Sequence, residues 1–488
     1  MTGAIFLASL LFATWFMFAR MKVNFTLSSV GLLLLLTFHG PAYWFYTRYW
    51  IHGDSYVNKL YDRSAEAVLN SPPSDGIMPP IANVPVIYDH LARLSGDVAF
   101  NSALANLDVA MALLLLGTVL GFFLADRAMG SDQSHMSAAI TTWQNSRPDS
   151  CLKRRWARAV FWVLVALCSA ALILLYLQTE KFSLVYKYFF TVGNEIEKIK
   201  WRRESGGFSY FWNLFFATIA IFATVYAMNE IRFSKLIGIF IALSFIALII
   251  FGKMAYLSKA PVIVYIVQIC LAVNIARSLK VSKTAAVSLL AILGGGAVLM
   301  VFVANSNLQG LGNALIFLFY RLFMIPNESL IEYFLAFPNY LPHTYGLENR
   351  FIAFFLGEPK ILESYWRVAE VLRGVGGSTT TAMFTGDAWA EFSWIGVIIF
   401  PIAFGSMLRF LDIILIGKIG KTSASIAGLS LGYYGIFIAL STSLFTALLT
   451  GGISMIPILV MISGLAPSWW LPGTSKANQF PRTPPSSL

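Results

Sequence analysis

Long apolar runs separated by short polar clusters recur along the chain. Eleven are long enough to be read as membrane-crossing helices: 3–19, 27–46, 103–124, 159–178, 208–229, 235–252, 261–277, 284–303, 393–416, 425–448 and 452–470. A helix needs about 20 mostly apolar residues to cross the hydrocarbon core. The first run has no basic residue before it and no small-residue cleavage site, so it reads as a retained anchor rather than a cleaved signal peptide. The weakest boundary is the last, where Gly451-Gly452 is the only break. No tandem repeat or duplicated half is visible, which argues against the inverted-repeat architecture common in secondary transporters.

The connections differ in charge. The segments 20–26, 127–158, 230–235, 277–283, 417–424 and 471–488 hold 17 basic residues in 78 positions. The opposite set, 47–102, 179–207, 253–260 and 304–392, holds 17 in 182 positions and carries 18 of the 24 acids. The denser set is expected in the cytoplasm. That puts the amino terminus outside and the carboxyl tail inside. Long loops tend to carry function, and the 56-, 29- and 89-residue loops all fall on the outer side. Residues 1–470 then form a single transmembrane domain. The tail 471–488, with Pro481, Pro484 and Pro485, reads as disordered and cytoplasmic.

Composition agrees. The 488 residues are 57% hydrophobic and 12% charged, whereas soluble domains carry about 25% charge. A soluble enzyme, a disordered chain and a fibrous repeat are excluded. The fold class expected is an all-α polytopic membrane protein. The net charge of +11 is explained by its placement on the connections and needs no nucleic-acid partner.

Several chemistries are missing. No G-x-x-x-x-G-K-[ST] loop is present, because Gly417-Lys418 and Gly420-Lys421 lack the earlier glycine. His39, His52, His90, His135 and His343 are scattered, and Cys151, Cys168 and Cys270 show no ligand spacing. Glu195-Ile196-Glu197 is followed by Lys198, Lys200, Arg202 and Arg203 and reads as a solvated helix. No metal site and no cofactor are expected. Within the spans, Asp108, His39 and the pair Arg409 and Asp412 are expected to be structural. His39 precedes a kink at Gly40-Pro41, and Arg409 pairs with Asp412 on one helical face.

The outer segments carry the candidate chemistry. Lys198 to Gly207 sets Lys200, Arg202 and Arg203 around Trp201, a pattern suited to an anionic headgroup or diphosphate. Lys253 and Lys259 lie in a tight turn before Pro261, near a helix amino terminus that attracts anions. In the long loop, Ala314–Phe323 is predicted helical. Arg321 in this apolar stretch demands an anionic partner or ligand. The aromatic run from Tyr333 to Tyr340 and the group His343, Tyr345, Gly346, Glu348 and Arg350 predict short helices packed over the bundle mouth. Finally, hydroxyl-rich Ser378 to Thr381 leads into Asp387 and Glu391, four apart on one helical face, with Trp389 and Trp394 beside them. Acids there also complement a helix dipole. Together with the tryptophans and hydroxyls they suggest a sugar-facing site.

This arrangement resembles the O-antigen or oligosaccharide repeat-unit polymerase family of bacterial envelopes. The local likeness lies in Leu257-Ser258-Lys259-Ala260-Pro261, in the stretch around Arg321 with Pro326, and in Thr385 through Gly396. The resemblance implies a glycosyltransferase-C-like fold of about eleven transmembrane helices with a long, partly helical periplasmic loop. It implies a metal-independent glycosyltransferase of the inner membrane that joins polyprenyl-diphosphate-linked oligosaccharides without a cofactor. Its partners would be membrane lipid, a chain-length regulator and a flippase. Asp387, Glu391, Arg321 and His343 are the candidate catalytic residues. Lys253, Lys259, Arg202, Arg203 and Arg321 are the candidate diphosphate ligands. The related O-antigen ligases carry a histidine late in the long loop, which His343-Thr344 loosely matches, so a ligase is the first alternative. A glycan or lipid flippase is the second. It would need charged residues lining a continuous cavity.

Overall fold

Helix starts are written locally. Thr26, Asp132, Thr422 and Ser443 each accept a hydrogen bond from the backbone N–H three residues on, at 3.2, 2.8, 3.1 and 3.0 Å. Each thereby satisfies an amide that the helix itself cannot. In the computed structural model, the described residues are 1–49, 51, 98–148, 218–231, 260–281, 319–373 and 382–462. Scattered positions between 159 and 177 and between 243 and 250, with 294, 295 and 315, complete them. These residues are mostly helical and contain no strand. A backbone bridge joins Asn24 to Lys280.

The elements are α1 (Thr2–Trp15), continued by a π-helical turn (Phe16–Met21), then α2 (Leu27–His39) and α3 (Pro41–Arg48). They continue with α4 (Val98–Ala128), α5 (Gln133–Asn145), α6 (Ala220–Ile231) and α7 (Ala260–Arg277). A π turn (Tyr320–Met324) leads into α8 (Ile325–Ala336), followed by α9 (Arg350–Leu356) and α10 (Ser364–Arg373). The long α11 (Phe384–Asp412) runs into a π segment (Ile413–Ile419). Then come α12 (Ser423–Ser441), α13 (Leu444–Leu449) and α14 (Met455–Val460).

Among the described residues, four stretches are long and apolar enough to cross a membrane: Thr2–Met21, Val98–Ala128, Phe384–Ile419 and Ser423–Ser441. The expected span 284–303 lies almost wholly outside the described residues, as do most of 235–252 and nearly half of 159–178. The expected span 27–46 is two helices, broken at Gly40 as its Gly-Pro pair suggests. The expected span 425–448 is also two, because Thr442 is extended and Ser443 caps a new helix.

α4 and α11 form the bundle's main pair. A Cβ added at Gly121 would lie 2.3 Å from the Ile402 carbonyl oxygen, and one at Gly405 would lie 2.2 Å from that of Thr118. Only glycine lets the two backbones approach so closely, which is how membrane helices pack without a hydrophobic driving force. α8 packs against α4 and α11, and its residues from Asn327 to Ala336 are all buried.

Several basic connections gather at one end. Gln133 Nε2 donates to the Arg20 carbonyl at 3.0 Å, and Phe25 N–H to Leu279 O at 2.7 Å. Lys421 Nζ donates to the carbonyls of Trp143 and Ser146 at 3.0 and 2.9 Å. The expected Arg409–Asp412 pair does not form. Arg409 instead grips Asp126 through Nε at 2.7 Å and Nη2 at 3.1 Å. Asp412 accepts from Leu27 N–H, Ser28 N–H and Ser28 Oγ at 2.7, 2.8 and 2.5 Å, capping α2. Each charge finds a better partner on a neighbouring helix than three residues away on its own.

Candidate functional site

α11 is not one straight rod. Ser393 sits at φ 55°, ψ −142°, which breaks the helix and leaves a short arm, 384–392, ahead of the membrane-length part. The fold is sharp enough that a Cβ at Gly396 would lie 2.4 Å from the Ala388 carbonyl oxygen. A break of this kind orphans the carbonyls of the preceding turn. The loop after α8 supplies their donors. Thr344 N–H reaches Ala390 O at 3.1 Å, and Tyr345 N–H reaches Glu391 O at 2.7 Å. Gly346, at φ 83°, then turns the chain where a side chain would be strained. Residues 384–392, read from the sequence as the end of the long loop with Asp387 and Glu391 on one helical face, form the helical arm of α11, and the expected start of the span at 393 coincides with the break.

Aromatic rings hold the arm in place. Trp389 stacks on Phe334 of α8 with ring centroids 4.6 Å apart, and its Nε1 donates to Phe337 O at 3.0 Å. The His343 ring lies edge-on to Trp389 at 5.3 Å and stacks on Phe337 at 6.0 Å.

This stapling delivers Glu348 to the arm. Glu348, Asp387 and Glu391 each place a carboxylate oxygen within 4.8 Å of the others. They are 7%, 8% and 3% exposed, so water does little to screen them. Two like charges at 4.8 Å repel by about 3 kcal/mol at an effective dielectric of about 20. Asp387 Oδ2 and Glu391 Oε2 are buried without a hydrogen-bond partner. Such an arrangement demands a shared proton or a cation.

Glu348 is the partnered member. Ser364 at the start of α10 donates to it twice, through its N–H at 2.7 Å and through its hydroxyl. Burial pushes the Glu348 carboxyl up from its ordinary value, while the Ser364 hydrogen bonds and the charge of Arg367 pull it back. The Arg367 guanidinium lies 5.8 Å from the centre of the Phe337 ring, and its Nη1 is buried without a hydrogen-bond partner.

Asp387 and Glu391 thus meet in one cluster, as their spacing predicts. His343, in the loop after α8, lies against the same arm, its Nδ1 3.4 Å from Ala390 O. Arg321 falls on the π turn Tyr320–Met324. Lys253, Lys259, Arg202 and Arg203 lie outside the described residues. Sequence reasoning missed the roles of Glu348 and Arg367. Glu348 is 39 positions from Asp387 and only the loop–arm hydrogen bonds unite them. The one available signal was Ser364, a helix-capping type, after a run of loop residues.

His39 and Asp108, expected to be structural, each have partners on neighbouring helices. His39 Nδ1 pairs with Asn327 Oδ1 at 3.0 Å, tying the α2 break to α8. Asp108 accepts from Arg48 at 2.5 Å, Tyr43 at 2.8 Å and Thr2 at 2.9 Å. No family model, curated protein or solved structure matches the chain.

Proposed function

We propose that the chain joins polyprenyl-diphosphate-linked oligosaccharide repeat units into a surface polysaccharide at the outer face of a bacterial inner membrane. The observation that supports this best is the buried acid cluster on the arm at the head of a membrane-length helix, an arm that Trp389 locks against Phe334 and Phe337. In the reaction, the acceptor hydroxyl attacks the sugar carbon that carries the diphosphate. A new C–O bond forms, the bond to the diphosphate oxygen breaks, and the lipid diphosphate leaves with the electron pair. Asp387 or Glu391 takes the hydroxyl proton, a role for which a carboxylate in a water-poor site suits a weak nucleophile.

The proposal includes eleven spans with the amino terminus outside. It assigns the departing diphosphate to Arg321, Lys253, Lys259, Arg202 and Arg203, because preplaced cations stabilise developing negative charge. A ligase is the second reading. It draws on His343, whose ring packs on Trp389 between the two acids in sequence.

Polymer ladders from cells carrying Asp387→Asn, Glu391→Gln or His343→Ala at matched expression test the proposal. Loss of a catalytic base costs about 100-fold or more, so the carboxylate variant that removes the base is expected to yield single repeat units. Wild-type ladders from both carboxylate variants overturn the base assignment. Long chains that remain unattached in His343→Ala alone move the reading to the ligase.

A further inference from the structure

Glu348, Asp387 and Glu391 come from two segments of the chain, yet their oxygens converge within 4.8 Å. A second observation points to a ligand between them. Asp387 Oδ2 and Glu391 Oε2 are both buried and neither has a hydrogen-bond donor, although Asp387 is 8% and Glu391 3% exposed. Buried carboxylate oxygens are ordinarily paired. Elsewhere in this molecule they are: Asp412 and Asp108 each accept three hydrogen bonds.

We infer that Glu348, Asp387 and Glu391 hold a hard divalent cation of the Mg2+, Mn2+ or Ca2+ class. The donor set is all oxygen, with no thiolate or imidazole in the cluster, which selects these ions over zinc or copper. Glu348 has the build of an oriented ligand. Ser364 holds its carboxylate from behind through two hydrogen bonds, as outer groups orient metal-binding carboxylates. Three carboxylates leave coordination positions open to water or to substrate oxygens. Arg367 is the competing positive charge. It acts on Glu348, but its Nη1 makes no hydrogen bond, so it does not satisfy the two orphaned oxygens.

The inference departs from the metal-free expectation of the sequence and of the family resemblance. It stands on geometry and does not require the transfer reaction proposed above. In that reaction, a bound ion lowers the proton affinity of a hydroxyl that joins its coordination sphere.

The test uses the purified full chain in detergent, stripped with a chelator and titrated separately with Mg2+, Mn2+ and Ca2+. Bound Mn2+ is read by electron paramagnetic resonance and stability by thermal unfolding. One ion per chain is expected, with an unfolding midpoint raised by several degrees. Asp387→Asn and Glu391→Gln are expected to weaken binding about 10-fold or more while remaining folded. No saturable binding by the wild type overturns the inference. So does binding that persists unchanged in both variants, because the ion is then held elsewhere. Neither readout depends on polymer formation, so failure of the metal site and failure of the transferase reading are separable.

Discussion

Asp387 and Asp412 stand near opposite ends of α11, and both are buried, at 8% and 0% exposure. Asp412 accepts two backbone N–H groups and a hydroxyl from the first turn of α2. Asp387 keeps an oxygen without a partner and has two further carboxylates beside it. The contrast extends beyond the two residues. At the Asp412 end, Arg409 is matched by Asp126 and Gln133, and Lys421 by three carbonyls. At the Asp387 end, like charges gather and the polar groups are left under-satisfied. A fully paired buried charge holds helices together. An unpaired one is a standing cost that packing alone does not explain, and such groups cluster where ligands bind.

The comparison is sharpest if Asp412 is truncated. Asp412→Ala orphans three donors, and hydrogen bonds to charged groups are worth about 1.5–3 kcal/mol each. A loss of about 4 kcal/mol is expected, read as a lowered unfolding midpoint in detergent. Asp412→Asn, which keeps an acceptor oxygen, should lose less than half of that. Arg409→Ala leaves Asp126 without its partner and should cost about 3 kcal/mol. The double variant Arg409→Met with Asp126→Leu should recover most of it in the same unfolding assay.

At the other end the backbone is the sensitive part. Gly396→Ala drives a methyl against the Ala388 carbonyl and should cost about 2 kcal/mol. It should also displace Glu391, seen as loss of polymer at a temperature where the protein is still folded. Asp387→Asn should leave stability unchanged or raise it, because it removes a group that repels Glu348 and Glu391 when charged. A large destabilisation there breaks the comparison and makes Asp387 a structural residue. The smallest effect is expected at Ser393. Glycine relieves a positive φ, so Ser393→Gly should be neutral or stabilising by about 1 kcal/mol.

Much of this was legible along the chain. Apolar runs marked the membrane-length helices, Gly40-Pro41 marked the break after α2, and Gly452 at φ 79° turns the chain where Gly451-Gly452 suggested an interruption. The four-residue spacing of Asp387 and Glu391 was enough to place them on one face. The Arg409–Asp412 pairing failed for a general reason: spacing says which side chains can meet on one helix, but a neighbouring helix can offer a stronger partner.

What local sequence determined is whatever depends on a turn or two of chain: helix or break, apolar or polar face, capping residue, the i,i+4 acid pair. What tertiary structure decided is which distant groups share a site. Glu348 reaches Asp387 only because the break at Ser393 exposes two carbonyls and the amides of Thr344 and Tyr345 fill them. Each hydrogen bond is short in range, while the chain that links its partners is long. No pattern in that intervening sequence encodes the distance between two oxygens; only the packed fold closes it.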